Sequence, residues 1–229
     1  DDAVRVMKRL ESEGACFTID VLGEEISSLD EAQYFLDEYV RVMHAIVEQD
    51  LDANLSIKPT AFGLLIDKEK GMENIESLVQ QASEHDMFVR LDMEDHRVTT
   101  ETIQVVLDLH AKGLTNVGTV LQGRLHRTPD DIDNVAKAIG PDADYRICKG
   151  IYLEPESIAY TSKNNIRTKT NEAIRMALEH GAYVGIASHD IPVVNYTLDV
   201  LNEFKMGPNL EDPRDLSLIH ISEPTRPVL

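Results

Sequence analysis

Polar side chains stand at the ends of five predicted strands, and their types suit the binding of a small charged molecule. Lys58, Asp92, Gln122, Arg146 and His189 each lie where an apolar run ends. The carboxyl ends of parallel strands meet at one edge of a sheet or barrel, so these side chains are expected to converge there. An ammonium group is a compact point charge for a carboxylate, and a glutamine amide both donates and accepts hydrogen bonds. Charges in such a position are costly unless they are paired or bind a ligand, so the pattern predicts a binding site.

Short apolar runs rich in β-branched residues precede these polar residues and would position them. Several runs are apolar at nearly every position, which is typical of parallel strands buried on both faces. The predicted strands are Phe17–Leu22, Asn54–Lys58, Phe88–Met93, Asn116–Gln122, Tyr145–Lys149 and Tyr183–Ala187.

Longer amphipathic stretches alternate with these strands. The predicted helices are Ser28–Gln49, Gly71–Asp86, Thr99–Lys112 (with Thr99 and Thr100 as candidate caps), Pro129–Ile139, Ser162–His180 and Ile191–Phe204. Six alternations of strand and helix predict an α/β fold with right-handed crossovers. The average spacing of about 33 residues is typical of a TIM-like (β/α)8 barrel, and eight such units need roughly 265 residues. We therefore expect a barrel truncated after about six βα units. The alternative architecture is a doubly wound open sheet. It is less favoured because no Gly-x-Gly-x-x-Gly turn follows the first strand.

The two ends of the sequence are expected to depart from the native protein. We expect residues 1–213 to form the partial barrel and 214–229 to be a non-native or disordered tail, a sequence artefact, because SLIHISEPTRP resembles translated adapter sequence. Because the sequence does not begin with Met, we expect the true N-terminus to lie upstream. Since a barrel without its last strands exposes a sheet edge, the isolated chain is expected to fold poorly and to lack activity.

Composition excludes several classes of protein. The net charge of −19 repels phosphate backbones, so nucleic-acid binding is not expected. No run of about 18 apolar residues and no basic leader with an apolar stretch occur, which predicts a cytoplasmic protein. Cys16 and Cys148 lie in apolar runs and are expected to be buried thiols in a reducing compartment.

Five segments of the chain carry a resemblance to a known family. In order they are LSIKPTAFG (55–63), RLDMED (90–95), VLQGRLHRT (120–128), YRICKGIYLEP (145–155) and IASHD (186–190). Together they resemble the successive strand-end motifs of the proline dehydrogenase family, over residues 10–213. Each segment is weak evidence alone, whereas five in the right order are specific. Two further signatures of the family, an aromatic strand motif and a final helix with adjacent arginines, do not occur in this sequence.

The resemblance implies a distorted (β/α)8 barrel that binds FAD and oxidises L-proline to 1-pyrroline-5-carboxylate. Reduced flavin then passes its electrons to a membrane quinone, which implies a peripheral position at the inner face of the membrane. Lys58 is implied to hold the substrate carboxylate, and Asp92 and Arg146 to be the catalytic pair, with Arg146 near the flavin N5. Tyr152 is assigned to the substrate, with packing at the base of a loop as the alternative. The residues implied to contact FAD are Met93, Gln122, Lys149, Gly150, Ile151, Ser188 and His189.

Other interpretations of the same residues stay open at this point. Lys58 and Lys149 both end strands, which would suit a Schiff-base lyase of the aldolase type. The run Asp92, Glu94, Asp95 and His96 contains metal-ligand types, but neighbouring residues rarely point to one centre, so no metal is predicted. An inactive fragment is the third interpretation, supported only by the truncation.

Overall fold

A computed structural model describes residues 2–14 and 17–206, with side chains from Val4 onward. Within these residues strands and helices alternate along the chain. The helices are α1 (Asp2–Glu11), α2 (Leu29–Glu48), α3 (Lys68–Ser83), α4 (Thr99–Ala111), α5 (Thr128–Ile139), α6 (Lys163–Glu179) and α7 (Ile191–Phe204). The strands are β1 (Phe17–Asp20), β2 (Ala53–Ile57), β3 (Val89–Leu91), β4 (Val117–Gln122), β5 (Asp144–Cys148) and β6 (Tyr183–Ala187).

The order of the strands in the sheet decides between the two predicted architectures. The strands follow one another as β1-β2-β3-β4-β5-β6, with parallel pairing between β1 and β2, β2 and β3, β3 and β4, and β5 and β6. A doubly wound sheet reverses its strand order at a switch point, whereas a barrel adds each strand next to the preceding one. The order therefore confirms the predicted barrel-type α/β fold.

The predicted elements are all present, and their ends differ for local reasons. Helix α3 begins at Lys68 rather than at Gly71, because the Asp67 side chain accepts a hydrogen bond from the Lys70 N–H and caps the helix there. The predicted capping of α4 by Thr99 is wrong. Its N-cap is Val98, which makes no side-chain cap bond, and the Thr99 hydroxyl instead donates to the Asp95 carbonyl. Helix α1 was not predicted.

The chain forms two compact units, residues 1–119 and the part from residue 120 onward. In the first unit α2 buries one stripe of side chains: Ala32, Leu36, Tyr39, Met43 and Ile46. Leu55 and Ile57 of β2 are fully buried, and Ile57 is in register with Leu91 of β3. Such burial of aliphatic side chains is the main source of folding free energy.

The second unit also has an apolar core. All six residues of β4 are buried, and those from Val120 onward belong to this unit. The other fully buried side chains come from three helices and from β5, and include Ile132, Tyr145, Ile147, Ile174 and Val193. β5 and β6 are in register from Asp144↔Tyr183 to Cys148↔Ala187, which brings the carboxyl ends of both strands to the same level.

A short 3-10 turn, Pro59–Phe62, follows directly after Lys58 in the first unit. Its four residues are all buried, and the Asn74 side chain of α3 donates a hydrogen bond of 3.1 Å to the Phe62 carbonyl. Gly63 ends the turn with φ +96°, a conformation that favours glycine. The turn thus leaves Lys58 at a rigid exit from β2 rather than on a loose loop.

The remaining predictions concern the C-terminal tail, the two cysteines and membrane-spanning segments. The predicted tail (214–229) and Cys16 lie outside the described residues, so both stay predictions. Cys148, on β5, is half-buried rather than fully buried. Among the described helices, none is long and apolar enough to cross a membrane.

Gly71 provides a test of the packing of α3 against the turn after β2. A Cβ atom at this position would lie 2.7 Å from both the Cα and the N of Leu64. Alanine usually stabilises a helix relative to glycine, yet here the backbone has to move. We expect Gly71→Ala to lower the free energy of unfolding by about 1–3 kcal/mol, measured by urea denaturation.

A matched Gly→Ala change on β6 serves as the control. A Cβ at Gly185 would meet its nearest atom, the Tyr145 carbonyl oxygen, at an ordinary 3.7 Å. Gly185→Ala should therefore leave stability unchanged or raise it. Equal effects of the two substitutions would contradict the close approach of α3 to the turn.

Candidate functional site

Strand register in the first unit explains which side chains can meet. Asp20 is the partner of Ser56, and Ser56 is the partner of Arg90, so the three residues occupy one row across β1, β2 and β3. Side chains alternate along a strand, so Lys58 and Asp92, two residues beyond Ser56 and Arg90, face the same side. Lys58 and Asp92 therefore lie close together, as the sequence predicted, because of the register of the strands that precede them.

Lys58 forms the centre of an ionic cluster at this edge. Its Nζ donates to Asp20 Oδ2 at 2.7 Å and lies 3.4 Å from Asp92 Oδ2. The exposed fractions of the three side chains are 20%, 28% and 22%, so the cluster is partly shielded from water but open on one side. Asp20 was missed by the sequence analysis, although it closes β1 as the other polar residues close their strands.

The charge of Lys58 is fixed by these contacts. Burial lowers the pKa of an ammonium, but the hydrogen bond that Lys58 donates to Asp20 and the charge of Asp92 together outweigh it, so the pKa of Lys58 is raised. A lysine that forms a Schiff base must become the neutral amine, and enzymes lower its pKa for that purpose. The environment of Lys58 therefore favours binding of an anion over Schiff-base chemistry.

Asp92 uses both of its carboxylate oxygens within the cluster. The Ser56 hydroxyl, which is buried, donates to Asp92 Oδ1 at 2.7 Å, and the other oxygen faces Lys58. Charge-assisted hydrogen bonds of this kind fix the orientation of a carboxylate. Asp92 thus presents a set geometry, as a residue that orients Lys58 or a ligand must.

A second carboxylate, Glu94, holds the turn that follows Lys58. It accepts hydrogen bonds from the Thr60 N–H at 2.9 Å and the Thr60 hydroxyl at 2.5 Å. The Thr60 hydroxyl in turn accepts from the Glu25 N–H at 3.0 Å, which ties the segment after β1 to the same point. Glu94 is only 4% exposed, and burial raises the pKa of its carboxyl despite the bonds from Thr60.

The metal interpretation of this acidic run finds no support in these contacts. Asp92 bonds to Ser56, Glu94 bonds to Thr60, and Asp95 bonds to Arg97. The carboxylates thus turn to three different partners, and in the described part of the chain no group of three or more His, Cys, Asp or Glu side chains is placed to hold a metal ion.

In the second unit, two of the residues assigned to FAD lie next to each other. Gln122, at the end of β4, is 1% exposed. Gly150, two residues beyond β5, has φ +95°, and a Cβ there would lie 2.5 Å from Gln122 Oε1 and 2.6 Å from Arg124 Cδ. Glycine is therefore needed at position 150 both for its backbone conformation and for its packing on Gln122.

Arg124, which the sequence analysis did not single out, holds the segment after β5, which carries Lys149, Gly150, Ile151 and Tyr152. Its N–H donates to the Lys149 carbonyl at 3.1 Å, and its carbonyl accepts from the Tyr160 N–H at 2.8 Å. Its buried guanidinium also donates to the Tyr152 carbonyl. Both ends of this segment are thus held by one residue at the exit of β4.

Lys149 belongs to an ion-pair network at the ends of β5 and β6. Its Nζ lies 3.0 Å from Asp190 Oδ2, and Arg167 of α6 donates to the two oxygens of Asp190 at 2.9 and 3.2 Å. The hydrogen bond from Arg167, with further help from Lys149, lowers the pKa of Asp190. Asp190 therefore stays ionised and orients both cations.

The other assigned residues occupy varied environments. Met93 is buried, Ser188 is buried and its hydroxyl accepts from the Asp190 N–H at 3.2 Å, and Arg146 on β5 is half-buried. The remaining three assigned residues have at least partly exposed side chains: Ile151, Tyr152 and His189. These placements do not test the assigned roles, which stay predictions.

Comparison with known proteins identifies the fold and the family of the chain. The structure matches proline utilization A from Bdellovibrio bacteriovorus with a TM-score of 0.81 and 20% identity, covering 90% of this chain and 26% of that chain. At this identity the likeness shows the fold alone, an α/β fold of the barrel type. The family model described as proline dehydrogenase matches residues 3–211. The chain belongs to the proline dehydrogenase family, as its five segments predicted.

Curated relatives agree with the family. Proline dehydrogenase 2 of Bacillus subtilis (strain 168) is 32% identical over 203 residues, which are 89% of this chain and 66% of the relative. Proline dehydrogenase 1 of the same strain is 30% identical, over 90% of this chain and 67% of the relative. Proline dehydrogenase of Deinococcus radiodurans is 29% identical, over 85% and 63%. The chain thus spans about two thirds of the length of these relatives.

Glu94→Gln tests whether the buried carboxylate holds the turn by its hydrogen bonds rather than by its charge. An amide can accept from the Thr60 N–H and donate to the Thr60 hydroxyl, so the turn should be kept. Because the pKa of Glu94 is raised in the folded state, its contribution to stability is present below the unfolded pKa and is lost as pH rises through the folded pKa. In urea denaturation across pH, the variant should therefore gain stability relative to the parent as pH rises through that window.

Glu94→Ala is the comparison that removes the acceptor. It leaves the Thr60 N–H without its bond and should cost about 1–3 kcal/mol at neutral pH. If Glu94→Gln were as unstable as Glu94→Ala at every pH, the charge of Glu94 and not its hydrogen-bond geometry would hold the turn.

Gly150→Ala tests the contact between Gly150 and Gln122. The substitution strains the backbone and forces the new Cβ into Gln122 and Arg124, so it should cost about 1–3 kcal/mol beyond the strain alone. Gly113→Ala measures the strain alone, because Gly113 has a similar φ of +85° and nothing within 4 Å of its Cβ position. Urea denaturation of both variants gives the difference. Equal losses would mean that Gln122 and Arg124 do not pack on Gly150.

Proposed function

We propose that the protein to which this chain belongs oxidises L-proline to 1-pyrroline-5-carboxylate with FAD as its cofactor, and that the reduced flavin delivers its electrons to a membrane quinone. The observation that carries the proposal is the ammonium of Lys58, kept charged by Asp20 and Asp92 at the end of β2 in a chain of the proline dehydrogenase family. Since its electron acceptor is a membrane quinone, we place the reaction on the inner face of the membrane, with the protein bound peripherally.

The residues near Lys58 suit an amino-acid substrate. The ammonium of Lys58 binds the substrate carboxylate as a point charge. Asp92, oriented by Ser56, forms the catalytic pair with Arg146 and holds the substrate ring by its nitrogen. Tyr152 lines the substrate side of the site. These roles require groups held in fixed directions, because catalysis depends on orientation within fractions of an ångström.

The second unit offers a donor set that fits FAD. At the ends of β4, β5 and β6 lie an amide that both donates and accepts, a lysine, a glycine backbone and a hydroxyl, which belong to Gln122, Lys149, Gly150 and Ser188. An isoalloxazine ring has a mixed edge of donors and acceptors, and its reduced form gains negative charge that cationic neighbours stabilise. We assign Met93, Ile151 and His189 to the same cofactor.

When bound, FAD supplies the acceptor for the hydride that leaves the proline ring. The chain has three tasks: to hold the carboxylate at Lys58, to place a cation, Arg146, near the flavin N5, and to exclude water while the hydride moves. The raised pKa of Lys58 keeps the first of these contacts intact across neutral pH. A Schiff-base mechanism would need the opposite shift, so it is not favoured.

The proposal is tested by adding L-proline to the FAD-loaded protein and following the loss of the visible flavin band without oxygen. In Lys58→Met the proline concentration for half-maximal bleaching should rise by about 10- to 100-fold, the loss expected for a charge-assisted bond. Lys68→Met is the matched control, because Lys68 lies on α3 with its side chain 54% exposed. It should behave as the parent.

Both the 229-residue chain and the protein translated from its uninterrupted reading frame should be tested. Absence of flavin binding in both, or flavin that proline does not bleach in either, would overturn the proposed function. An unchanged proline requirement in Lys58→Met would overturn the role of Lys58 while leaving the cofactor assignment in place.

A further inference from the structure

The partner that lies closest to Lys58 is Asp20, a residue outside every segment that carries the family resemblance. Its Oδ2 accepts from Lys58 Nζ at 2.7 Å, compared with 3.4 Å for Asp92 Oδ2. Asp20 ends β1, and its register partner is Ser56, two residues before Lys58 on the neighbouring strand. The lysine therefore reaches back across the sheet to a carboxylate that is fixed in the strand itself.

Asp20 is itself fixed by a buried tyrosine. The Tyr39 hydroxyl on α2 lies 2.9 Å from Asp20 Oδ1 and 2.7 Å from the Ser56 carbonyl, and it accepts from the Val21 N–H at 3.0 Å. Tyr39 is 1% exposed, and burial, followed by the charge of Asp20, raises the pKa of its hydroxyl. The hydroxyl thus stays protonated, and its one proton goes to Asp20 or to the Ser56 carbonyl.

Two carboxylates on one ammonium restrict the direction in which a ligand can approach. An ammonium has three N–H donors, and Asp20 and Asp92 take two of them. A single donor of Lys58 then remains for an incoming carboxylate. A lysine side chain held by only one partner would keep more of its rotamer freedom, which binding would have to remove.

We propose that Asp20, held by Tyr39, is a positioning residue for Lys58: it keeps the ammonium charged and directs its remaining N–H toward the ligand side of the sheet. The inference rests on the proposed function only for the identity of that ligand, an amino-acid carboxylate. The charged groups that act on Lys58 are Asp20 from β1, and Asp92 and Glu94 after β3. Tyr39 from α2 acts on Asp20.

The test measures the reactivity of the Lys58 amine without any substrate. Competitive acylation with trace acetic anhydride over a pH series, followed by peptide mass spectrometry, gives the pKa and the reactivity of each lysine. In Asp20→Asn the loss of the closest carboxylate should lower the pKa of Lys58 by about one unit, so its reactive fraction below that pKa rises about tenfold. Asp92→Asn should give a smaller rise, because its oxygen is farther away.

Matched variants separate this effect from a general change in the fold. Asp30→Asn alters an exposed carboxylate in the first turn of α2 and should leave Lys58 unchanged. Tyr39→Phe removes the donor to Asp20 and should raise Lys58 reactivity less than Asp20→Asn does, whereas Tyr34→Phe, exposed on the same helix, should have no effect. Circular dichroism of each variant verifies that it folds.

The parent protein gives a measurement that needs no variant. Lys58 should titrate above the ordinary pKa of a lysine side chain. A Lys58 pKa at or below that ordinary value, or an Asp20→Asn variant whose Lys58 reactivity stays within about twofold of the parent, would overturn the positioning role, since the twofold limit is well below a tenfold pKa effect.

The same labelling distinguishes this inference from the proposed function. L-Proline added to the FAD-loaded parent should protect Lys58 if proline binds there. If proline protects Lys58 but Asp20→Asn does not change the reactivity of Lys58, the proposed function stands and Asp20 has no positioning role. An effect of Asp20→Asn without protection would leave Asp20 as the partner of Lys58 and remove proline as its ligand.

Discussion

The structure of the first unit is organised around one partly buried ammonium. Taking a lysine charge out of water is unfavourable, and burial alone would lower the pKa of Lys58. Asp20 and Asp92 reverse that outcome, because each places negative charge within 3.4 Å of Nζ. Hydrogen bonds hold the two carboxylates in place: the Tyr39 hydroxyl donates to Asp20, and the Ser56 hydroxyl donates to Asp92. One charge at the end of a strand thus explains a run of polar groups inside an otherwise apolar layer.

Parallel strand pairing makes this arrangement possible for residues that are far apart in the chain. The register of β1, β2 and β3 brings Asp20, Ser56 and Arg90 into one row, and the next row holds Lys58 and Asp92. The connections beyond the strands are then fixed by groups other than the ligand-binding candidates. In the first unit Glu94 holds the turn after β2, and in the second Arg124 holds the segment after β5. Residues outside the predicted ligand contacts thus hold the segments that carry the predicted ones.

The sequence predicted the strands, the barrel-type fold and the family, because apolar runs, alternation and five ordered segments are all local signals. It also predicted that Lys58 and Asp92 meet, since both end neighbouring strands. Asp20 was missed because the first strand was predicted to run to Leu22, which placed Asp20 inside it rather than at its end. Its partners Tyr39 and Lys58 lie 19 and 38 residues away in the chain. Glu94 was considered only as a metal ligand. Its hydrogen bonds with Thr60 could not be predicted, because Thr60 lies in the turn after β2, on a different part of the chain. Gly150 was predicted only to contact FAD; the structure adds that a Cβ there would meet Gln122 and Arg124, which the sequence does not reveal.

The charge balance of the Lys58 cluster bears on the kind of ligand that the proposed function requires. One ammonium and two ionised carboxylates carry a net charge of about −1, and a simple organic anion entering this cluster would meet repulsion as well as the attraction of Lys58. A zwitterion avoids the conflict, because its carboxylate can take the remaining donor of Lys58 while its cationic amine faces a carboxylate. Proline is such a ligand, whereas the decarboxylated amine and the plain acid each lack one of the two charges. Under the proposed function, Asp20 would have a second effect: a negative cluster would favour an amino acid over an ordinary carboxylic acid at the same place.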